Sequence, residues 1–435
     1  MQRLNPALCL SLAVLLTTGA LAADPAKIDW SAISVTAVPL FYPGQSSYEW
    51  LRGSAHKGAK KVKAGESCVS CHDEKDAELE LGNALVKGGR LEPTPVKGKN
   101  GFVNLGVQAA FDAKNLYVRY QWKTHGPRAG TEHQYLRFDG KAWQVWGFPR
   151  LDKAVQDGAQ SALYEDRVSV LIDDGKVPGF AQQGCWLTCH DGSRDMARPA
   201  TKAEAAADPL LASLKKGDLR KYLPDTRSDP ADWKSGRAAA EISAQKAAGK
   251  FLDLVQWRAH RSHAVGMADD GYVLEYRLGD AGRDMFGSNA DPQTHLPRFM
   301  WDEKKTGFRS IRADSPARKD DLFLVRERNA VPFDPKAAWQ EGDMVPDYVM
   351  SRDDASGSAA DNNAIASWKD GVWTVVLVRP LGLRYADDKA LIAGGVYNLG
   401  FAVHDDNITT RGHHVSFVKT LGLGAKADIE AVRLR

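Results

Sequence analysis

Alternating apolar and polar residues run through much of the chain from about residue 101 onward. Such alternation, in runs rich in Val, Tyr, Trp and Phe, is typical of strands that bury one face. Asp112-Ala-Lys-Asn115 separates the first two runs and predicts a hairpin turn. The fold class that follows is mainly β. The predicted strands lie at residues 102–110, 116–122, 167–172, 272–278, 373–378, 396–403 and 415–420.

Three stretches lack this alternation. Residues 201–250 are rich in Ala, Lys and Glu, which favours one or two helices inserted between strands. Residues 320–361 are polar, with scattered Pro and Gly, and predict long loops. Residues 23–95 show little periodicity, so they predict a small loop-rich segment that buries too little surface to fold alone.

The first 22 residues have the features of an export signal. Arg3 supplies a positive charge, a short apolar run extends from Ala7 to Leu16, and Ala20-Leu21-Ala22 forms a small-residue cleavage site. An uncleaved N-terminal anchor is the alternative. Since no other segment is long and apolar enough to span a bilayer, we expect a periplasmic mature chain that begins near Ala23.

Composition and charge narrow the function classes. The 435 residues are 43% hydrophobic and 26% charged, as in ordinary globular proteins, and they include 12 Trp, 12 Tyr and 14 Phe. This mixture excludes a disordered, collagen-like or coiled-coil chain. The formal net charge of +3, from 58 basic and 55 acidic residues, is too small to predict a nucleic-acid partner.

The cysteines carry most of the chemical information. Cys9 lies in the export segment, and the other four form two pairs, each followed directly by His: Cys68-Val-Ser-Cys71-His72 and Cys185-Trp-Leu-Thr-Cys189-His190. The first is the C-x-x-C-H signature of c-type haem attachment, in which two thiols bond to the vinyl groups and the imidazole binds the iron. The second has the same order with one extra residue. We therefore predict two covalently bound haem c groups, with His72 and His190 as proximal ligands.

Disulfides, a redox dithiol or a zinc site would account for fewer features of the four cysteines than haem attachment does. Two disulfides would be ordinary in an exported protein, and a redox dithiol or a zinc site of mixed Cys and His ligands is possible. The two pairs, however, are more than a hundred positions apart. None of these sites accounts for a His directly after each pair, whereas haem attachment uses every cysteine of the mature chain.

The distal iron ligands are less clearly marked. His56 lies close to the first motif in sequence and is the leading candidate for haem one, with a solvated loop histidine as the alternative. For haem two we favour His260, in the tract Trp257-Arg-Ala-His260-Arg-Ser-His263, with His263 and Met196 as alternatives. If His56 and His260 both bind iron, the two haems are bis-His.

Several tracts resemble the haem-binding domain of the ethylbenzene dehydrogenase γ-subunit, a DOMON-type family. They are Phe111-Asp112-Ala113-Lys114-Asn115-Leu116-Tyr117-Val118, Glu165-Asp166-Arg167-Val168, the loop from Gly184 to Asp191, Ala268-Asp269-Asp270-Gly271 and Phe401-Ala402-Val403-His404-Asp405-Asp406. The resemblance implies a β-sandwich with inserted helices over residues 96–435, preceded by the haem segment at 23–95. It also implies electron transfer without substrate chemistry, in some members on behalf of a molybdenum enzyme.

The chain departs from that family at its second cysteine pair. Family members hold b-type haem non-covalently, typically through Met and Lys, whereas Cys185, Cys189 and His190 predict a covalent, His-ligated haem here. The resemblance suggests that His404, His413 and His414 are structural or close to haem. A third, non-covalent haem held by His404 and His413 is an alternative. Arg258, Arg261 and Arg411 are candidates for pairing with haem propionates, with surface salt bridges as the other interpretation.

The sequence thus predicts a periplasmic di-haem cytochrome c that transfers electrons in a respiratory chain and is not itself an enzyme. Expected partners are another cytochrome, a membrane quinol oxidase or a molybdenum oxidoreductase. The alternative is a haem enzyme, a peroxidase or a reductase of small oxoanions, with one open iron site. Electron transfer between the haems further requires the N-terminal segment to dock near the loop from Cys185 to His190.

Overall fold

The computed structural model describes residues 23–126, 130–312 and 322–434. The predicted export signal at residues 1–22 lies outside the described residues. Strands are the main elements of the described chain. They are β1 (Thr36–Phe41), β2 (Phe102–Phe111), β3 (Asn115–Lys123), β4 (Tyr135–Phe138), β5 (Trp143–Trp146), β6 (Arg167–Asp173), β7 (Leu252–Arg258), β8 (Asp269–Val273), β9 (Arg277–Gly279), β10 (Gly282–Arg283), β11 (Phe286–Ser288), β12 (Phe299–Trp301), β13 (Ile311–Arg312), β14 (Ala330–Pro332), β15 (Asp343–Pro346), β16 (Tyr348–Met350), β17 (Ser356–Gly357), β18 (Asn363–Lys369), β19 (Val372–Pro380), β20 (Val396–His404), β21 (His414–Val415), β22 (Lys419–Leu423) and β23 (Ile429–Arg433).

Helices are short and lie in the connections between strands. They are α1 (Tyr48–Arg52), α2 (Ala59–Lys63), α3 (Ala77–Leu85), α4 (Lys153–Gln156), α5 (Phe180–Gln183), α6 (Lys202–Ala207), α7 (Pro209–Ser213), α8 (Ala239–Ala247) and α9 (Glu303–Thr306). Both cysteine pairs begin in 3₁₀ turns, at Cys68–Ser70 and Gly184–Thr188. None of the helices in the described ranges has the length and apolar character needed to cross a membrane.

One large sheet folds over to form a β-sandwich. Its strand order is β18-β19-β3-β2-β1-β21-β20-β6-β7-β8-β9, with β22 and β23 joining β20 to β2. The largest buried cluster takes residues from the β2, β3 and β19 side and from the β20, β6 and β7 side, so these two parts pack face to face. Trp122, Trp257 and Trp373 meet in this core, with ring centroids 4.9–6.3 Å apart.

Alternate residues of strand β7 face two different regions, the apolar core and a polar cavity. Val255 and Trp257 lie in the core cluster. The intervening residues Leu254, Gln256 and Arg258 line a cavity on the other side of the strand. Because successive side chains of a strand point to opposite faces, β7 separates the apolar core from a polar cavity.

The N-terminal segment is joined to the sandwich by a strand that the sequence analysis did not predict. Strand β1 pairs with β2 through Thr36 to Phe41, and Phe41 also pairs with Val415 of β21. Val38 and Leu40 of β1 are fully buried in the core. Residues 23–95 therefore combine one sandwich strand with loops and the short helices α1 to α3.

Most of the predicted strands are confirmed. Residues 102–110, 116–122, 167–172, 373–378 and 396–403 lie in β2, β3, β6, β19 and β20, and Asp112 Oδ1 accepts hydrogen bonds from two turn amides before β3. The single strand at 272–278 is wrong, since a turn there divides β8 from β9, with the Leu274 N–H donating to the Tyr276 carbonyl. The strand at 415–420 is likewise divided between β21 and β22.

The two stretches predicted from composition are partly wrong. Residues 201–250 contain three short helices, α6, α7 and α8, rather than one or two. Asp208 ends α6 and also caps α7 by accepting from the Leu211 N–H, which breaks what could have been one helix. Within residues 322–361, where loops were expected, strands β14 to β17 pair with partners distant in sequence.

The tryptophan cluster should dominate the stability of the sandwich. We expect Trp257→Ala to lower the free energy of unfolding by about 3–5 kcal/mol, because it opens a large cavity between the layers. The matched control is Ile365→Ala on β18, where the side chain is 49% exposed and the expected loss is within about 0.5 kcal/mol. Denaturant titration followed by circular dichroism measures both. Equal losses in the two variants would contradict this account of the core.

Candidate functional site

The second cysteine pair lies on the wall of a cavity of about 530 Å³. This volume falls in the range that holds a cofactor or small molecule. Cys185 is buried, and burial raises the pKa of its thiol to about 11. Gly400 of β20 faces this thiol so closely that a Cβ there would lie 3.0 Å from Cys185 Sγ. Cys189 is half-buried, with its Sγ 3.1 Å from Lys221 Nζ.

Basic side chains surround the cavity. Nine Lys and Arg residues line it, against three Asp residues. The basic residues are Arg167, Arg194, Lys216, Arg220, Lys221, Arg258, Arg261, Arg277 and Arg411. Burial and the neighbouring Arg258 lower the pKa of Arg277 to about 9, and although burial opposes it, Arg167 and Arg261 lower the pKa of Tyr164 to about 7. The cavity therefore favours an anionic occupant.

Some of these cations have acidic partners and one is only weakly paired. Arg258 makes two hydrogen bonds of 2.7 Å to Asp269, and Arg261 Nε lies 2.7 Å from Glu165 Oε1. Arg167 is buried and lies 3.4 Å from the same Glu165 oxygen. Its Nε and Nη2 have no hydrogen-bond partner among the described residues. An unsatisfied buried guanidinium is costly, so Arg167 is placed to receive a carboxylate from a ligand.

Two of the C-terminal histidines also line the cavity. His404 and His413 stack with ring centroids 4.7 Å apart and planes 16° from parallel. His413 Nδ1 is hydrogen-bonded to the Thr410 carbonyl oxygen, an arrangement that fixes the tautomer and leaves Nε2 as the ligand atom. The stacked pair leaves no room for a macrocycle between the two rings, so it does not favour the alternative of a third haem. His414 instead lies 2.8 Å, through Nε2, from the Asn100 carbonyl oxygen.

His190, which follows the second pair, is turned away from this cavity. Its Nδ1 lies 2.7 Å from Glu49 Oε1 and its Nε2 3.2 Å from the Tyr222 carbonyl oxygen. Its ring also stacks on Tyr222 at 3.6 Å. Both ring nitrogens are therefore occupied. Nδ1 could keep its Glu49 partner, but His190 can bind an iron through Nε2 only if Nε2 leaves the Tyr222 carbonyl oxygen.

The three predicted distal candidates for haem two are in different places. Met196 is buried and lines the cavity. His260 and His263 lie outside the set of lining residues and pack on Phe323. His260 Nδ1 is 2.8 Å from the Thr131 carbonyl oxygen, while its buried Nε2 has no hydrogen-bond partner in the described chain. The structure thus brings Met196, but neither histidine, to the cavity wall.

The first cysteine pair forms a more open site. Cys71 is exposed, Cys68 is half-buried, and burial raises the pKa of the Cys68 thiol to about 11. Burial, and to a lesser extent the charge of His56, lower the pKa of His72. His56 Nδ1 is 2.8 Å from the Leu51 carbonyl oxygen, which again leaves Nε2 as the ligand atom. The His56 ring packs on Trp50, and Trp50 and Cys68 pack against the same hydrophobic cluster, so His56 and the first cysteine pair adjoin one cluster.

The N-terminal segment docks against the loop of the second pair. The Tyr48 N–H donates to the Cys189 carbonyl at 2.7 Å, and Trp186 Nε1 donates to Ser46 Oγ at 2.9 Å. Glu49 contacts both the His190 ring and the Asp191 N–H. The predicted docking near the Cys185 to His190 loop is therefore seen in the structure.

One hydrophobic cluster lies beneath both cysteine pairs. Its centre, here called the aromatic junction, consists of Phe41, Trp186 and Phe417, whose ring centroids are 5.2–5.6 Å apart. Cys185 belongs to the same buried cluster and Cys68 packs against it. The His72 ring stacks on Phe417 at 5.8 Å. The two candidate sites therefore adjoin the same apolar contact.

Comparison with known proteins identifies the family of the chain. Residues 27–416 match the ethylbenzene dehydrogenase family. The chain belongs to this family. It is 28% identical over 419 residues to cytochrome c-552 of Stutzerimonas stutzeri, which covers 96% of this chain and 94% of the relative. It is also 29% identical over 217 residues to cytochrome c-551 of Rhodocyclus tenuis, which covers 50% of this chain and 70% of the relative.

Several cavity residues escaped the sequence analysis. His133 lines the cavity, is buried, and has no hydrogen-bond partner on either ring nitrogen among the described residues. Arg167 was quoted only as part of a family tract, and Lys221 was not singled out. His133 and Lys221 lie in no cysteine or histidine motif, so only the cavity reveals them.

The contact between Glu49 and the second cysteine loop gives a test of docking. We expect Glu49→Ala to increase trypsin cleavage at the lysines of α2 by at least tenfold, because hydrogen bonds to a charged group contribute about 1.5–3 kcal/mol. Glu74→Ala, at an exposed position of the same segment, is the control and should leave the rate unchanged. Mass spectrometry of timed digests identifies the cleaved bonds. Equal rates in both variants would show that Glu49 does not hold the segment in place.

Proposed function

We propose that this chain is a periplasmic di-haem c-type cytochrome that transfers electrons. The observation that carries the proposal is the arrangement of two cysteine pairs, each followed by His, against one aromatic junction. The names of the two relatives, cytochrome c-552 and cytochrome c-551, support the same class. Haem supplies reversible one-electron chemistry when bound, and the protein sets its potential through axial ligands and burial.

The residues of the cavity fit a second haem. Cys185 and Cys189 are present on the wall as thioether donors, and the surplus of basic side chains matches two propionates. Arg167, with two unsatisfied guanidinium nitrogens, is the leading propionate partner. Arg258 and Arg261 line the cavity as the sequence suggested, but each is already paired with a buried carboxylate. Arg411 also lines it and is paired with Glu92.

The first site fits a haem that is more exposed to solvent. Cys68 and Cys71 would hold the group, with His72 and His56 as its axial ligands. The support for His56 is that its Nδ1 is fixed by a backbone carbonyl and that its ring packs on Trp50, which shares a hydrophobic cluster with Cys68. An exposed haem edge suits exchange of electrons with another redox protein, which is the partner class we propose; a molybdenum oxidoreductase is one member of that class.

For haem two we propose that His413 takes the distal role that the sequence analysis gave to His260. His413 lines the cavity beside the thiols and has its Nδ1 bound to a carbonyl oxygen, whereas His260 lies behind the wall. His190 remains the proximal candidate on the strength of its motif. Its Nε2 would have to leave the Tyr222 carbonyl oxygen when haem is attached, while Nδ1 could keep its Glu49 partner.

A haem enzyme is the second candidate function, because one observation favours it. His133 and Tyr164 both line the cavity with ring centroids 4.9 Å apart, and the nearby arginines lower the pKa of Tyr164 to about 7. Such a pair is suited to proton transfer beside an open iron. Addition of cyanide to the oxidised protein separates the two functions. A purely electron-transferring protein keeps both irons low-spin and unliganded by cyanide.

Covalent stoichiometry tests the proposal most simply. We expect the intact purified chain to carry two haem masses after denaturation and acid-acetone extraction, on a polypeptide that begins near Ala23. Cys185→Ala with Cys189→Ala should retain one haem, and Cys68→Ala with Cys71→Ala should retain the other. A single haem mass on the parent chain, unchanged by the Cys185 and Cys189 substitutions, would contradict the second site.

Ligand substitutions test the axial assignments. We expect His56→Ala to convert haem one alone to a high-spin form, and His413→Ala to do the same to haem two, since each leaves one iron five-coordinate. His260→Ala is the matched control and should leave the electron paramagnetic resonance spectrum of both haems unchanged. The far-red band of Met-ligated ferric haem should be absent from the parent. Loss of low-spin signal in His260→Ala, with none in His413→Ala, would restore the assignment based on sequence.

A further inference from the structure

Three buried aspartates meet at one end of the sandwich, away from both cysteine pairs in sequence. Asp253 is the second residue of the fully buried strand β7, Asp270 lies in β8, and Asp388 lies in the segment before β20. Their exposed fractions are 0%, 5% and 7%. We call this set the aspartate cluster. It joins adjacent strands of one layer to a connection that is distant in sequence.

The spacing of the carboxylate oxygens fits a single cation. One oxygen from each aspartate lies within 4.8 Å of the oxygens from the other two. Calcium binds oxygen ligands at about 2.3–2.6 Å, so two oxygens on one ion are separated by at most about 5 Å. Carboxylates at this separation without a cation repel each other strongly in a buried environment.

A neutral side chain gives a second and independent indication of a ligand. Asn362 is fully buried, and its amide nitrogen donates a hydrogen bond to Asp270 Oδ2. Its carbonyl oxygen Oδ1 has no hydrogen-bond partner among the described residues. Asp253 Oδ1 and Asp388 Oδ1 are likewise buried without a hydrogen-bond partner in the described part of the chain. Three acceptor oxygens are thus left unsatisfied, although buried polar atoms are normally paired.

The charge balance indicates a divalent ion. Arg379 of β19 donates from Nη2 to Asp253 Oδ2 and lies 3.9 Å from Asp388 Oδ1. Three carboxylates and one guanidinium leave two negative charges. Lys389 does not cancel them, because its Nζ is 2.6 Å from Asp174 Oδ1 and only its backbone N–H reaches Asp253. Nearby Asp280 also has a buried oxygen, Oδ1, without a hydrogen-bond partner among the described residues.

We propose that the aspartate cluster binds one Ca²⁺ ion, with Asp253, Asp270 and Asp388 as carboxylate ligands and Asn362 as a carbonyl ligand. All of the donors are oxygens, which is the ligand type that calcium prefers. The ion would tie β7 and β8 to the connections that precede β18 and β20. The ion would have a structural role. Because β7 and β8 supply one wall of the cavity described above, holding these strands in place would also stabilise that wall.

Protons are the competing occupants. Without a cation, burial and neighbouring aspartates raise the pKa of Asp280 to about 9, and burial raises that of Asp388 to about 7. If the aspartates were protonated, hydrogen bonds between them would replace the metal ion. The stability of the protein would then not respond to calcium. The test therefore needs to separate a bound ion from a shared proton.

The experiment uses the full haem-loaded chain in metal-depleted buffer at pH 7.5. After equilibration with micromolar CaCl₂ and gel filtration, elemental analysis should find about one calcium per chain beyond the iron. The Tm should fall by about 3–8 °C in excess EGTA and recover with added Ca²⁺. MgCl₂ at the same concentration should not restore it, because Mg²⁺ demands a smaller octahedral site.

Asp388→Asn is the informative variant, because it keeps the side-chain shape and lies outside the strands. It should lower calcium affinity at least tenfold and abolish the difference in Tm between Ca²⁺ and EGTA. In EGTA its Tm should equal or exceed that of the parent, because one repelling charge is gone; this result also shows that the variant folds. Asp139→Asn, in an exposed turn, should behave as the parent does.

Three outcomes would overturn the proposal. The first is a parent chain without calcium whose Tm is the same in Ca²⁺ and EGTA, which would assign the cluster to protons. The second is full recovery with Mg²⁺, which would contradict the choice of calcium. The third is an Asp388→Asn variant that responds to calcium as strongly as the parent. None of these results depends on the number or ligation of the haems, so the proposed electron-transfer function is tested separately.

Discussion

The contact between Phe41, Trp186 and Phe417 is the interaction on which the two-site architecture depends. Phe41 comes from the first sandwich strand, Trp186 from within the second cysteine motif and Phe417 from the connection between β21 and β22. Each alone is an ordinary buried aromatic residue. Together they bring the polypeptide around Cys68 and that around Cys185 onto one apolar surface, although the two pairs are more than a hundred residues apart. Polar contacts from Ser46, Tyr48 and Glu49 then fix the orientation.

The cavity lowers the stability of the sandwich, because it buries positively charged side chains. Burying guanidinium groups without partners is unfavourable, yet Arg167 and its neighbours are concentrated where β6, β7 and β20 turn one face away from the core. An anionic cofactor would offset this unfavourable free energy, and covalent attachment would keep the cofactor in the cavity. The aspartate cluster has the opposite sign. Its Asp270 is one of the three Asp residues that line the cavity, so the anionic cluster adjoins the cationic site.

Local patterns predicted much of the fold and of the first site. Alternation located β2, β3, β6, β19 and β20. The distance in sequence from His56 to His72 is short, so the prediction that both serve haem one rests on local sequence alone. The residues of the second site were harder to predict from the sequence, because they come together from strands that are far apart along the chain. His413 is more than two hundred positions from Cys189, and nothing in its local sequence distinguishes a cavity histidine from His414, which bonds to a backbone carbonyl. His260 had the more suggestive tract but packs behind the wall.

We propose that the two haem sites form one electron-conducting unit across the aromatic junction. The most direct measurement is rapid partial reduction of the fully oxidised protein, followed optically at wavelengths that separate the two haems. We expect the electron to redistribute between the haems in a first-order phase whose rate is independent of protein concentration. A redistribution rate that rises in proportion to protein concentration would show that electrons pass only between molecules, and it would contradict the account.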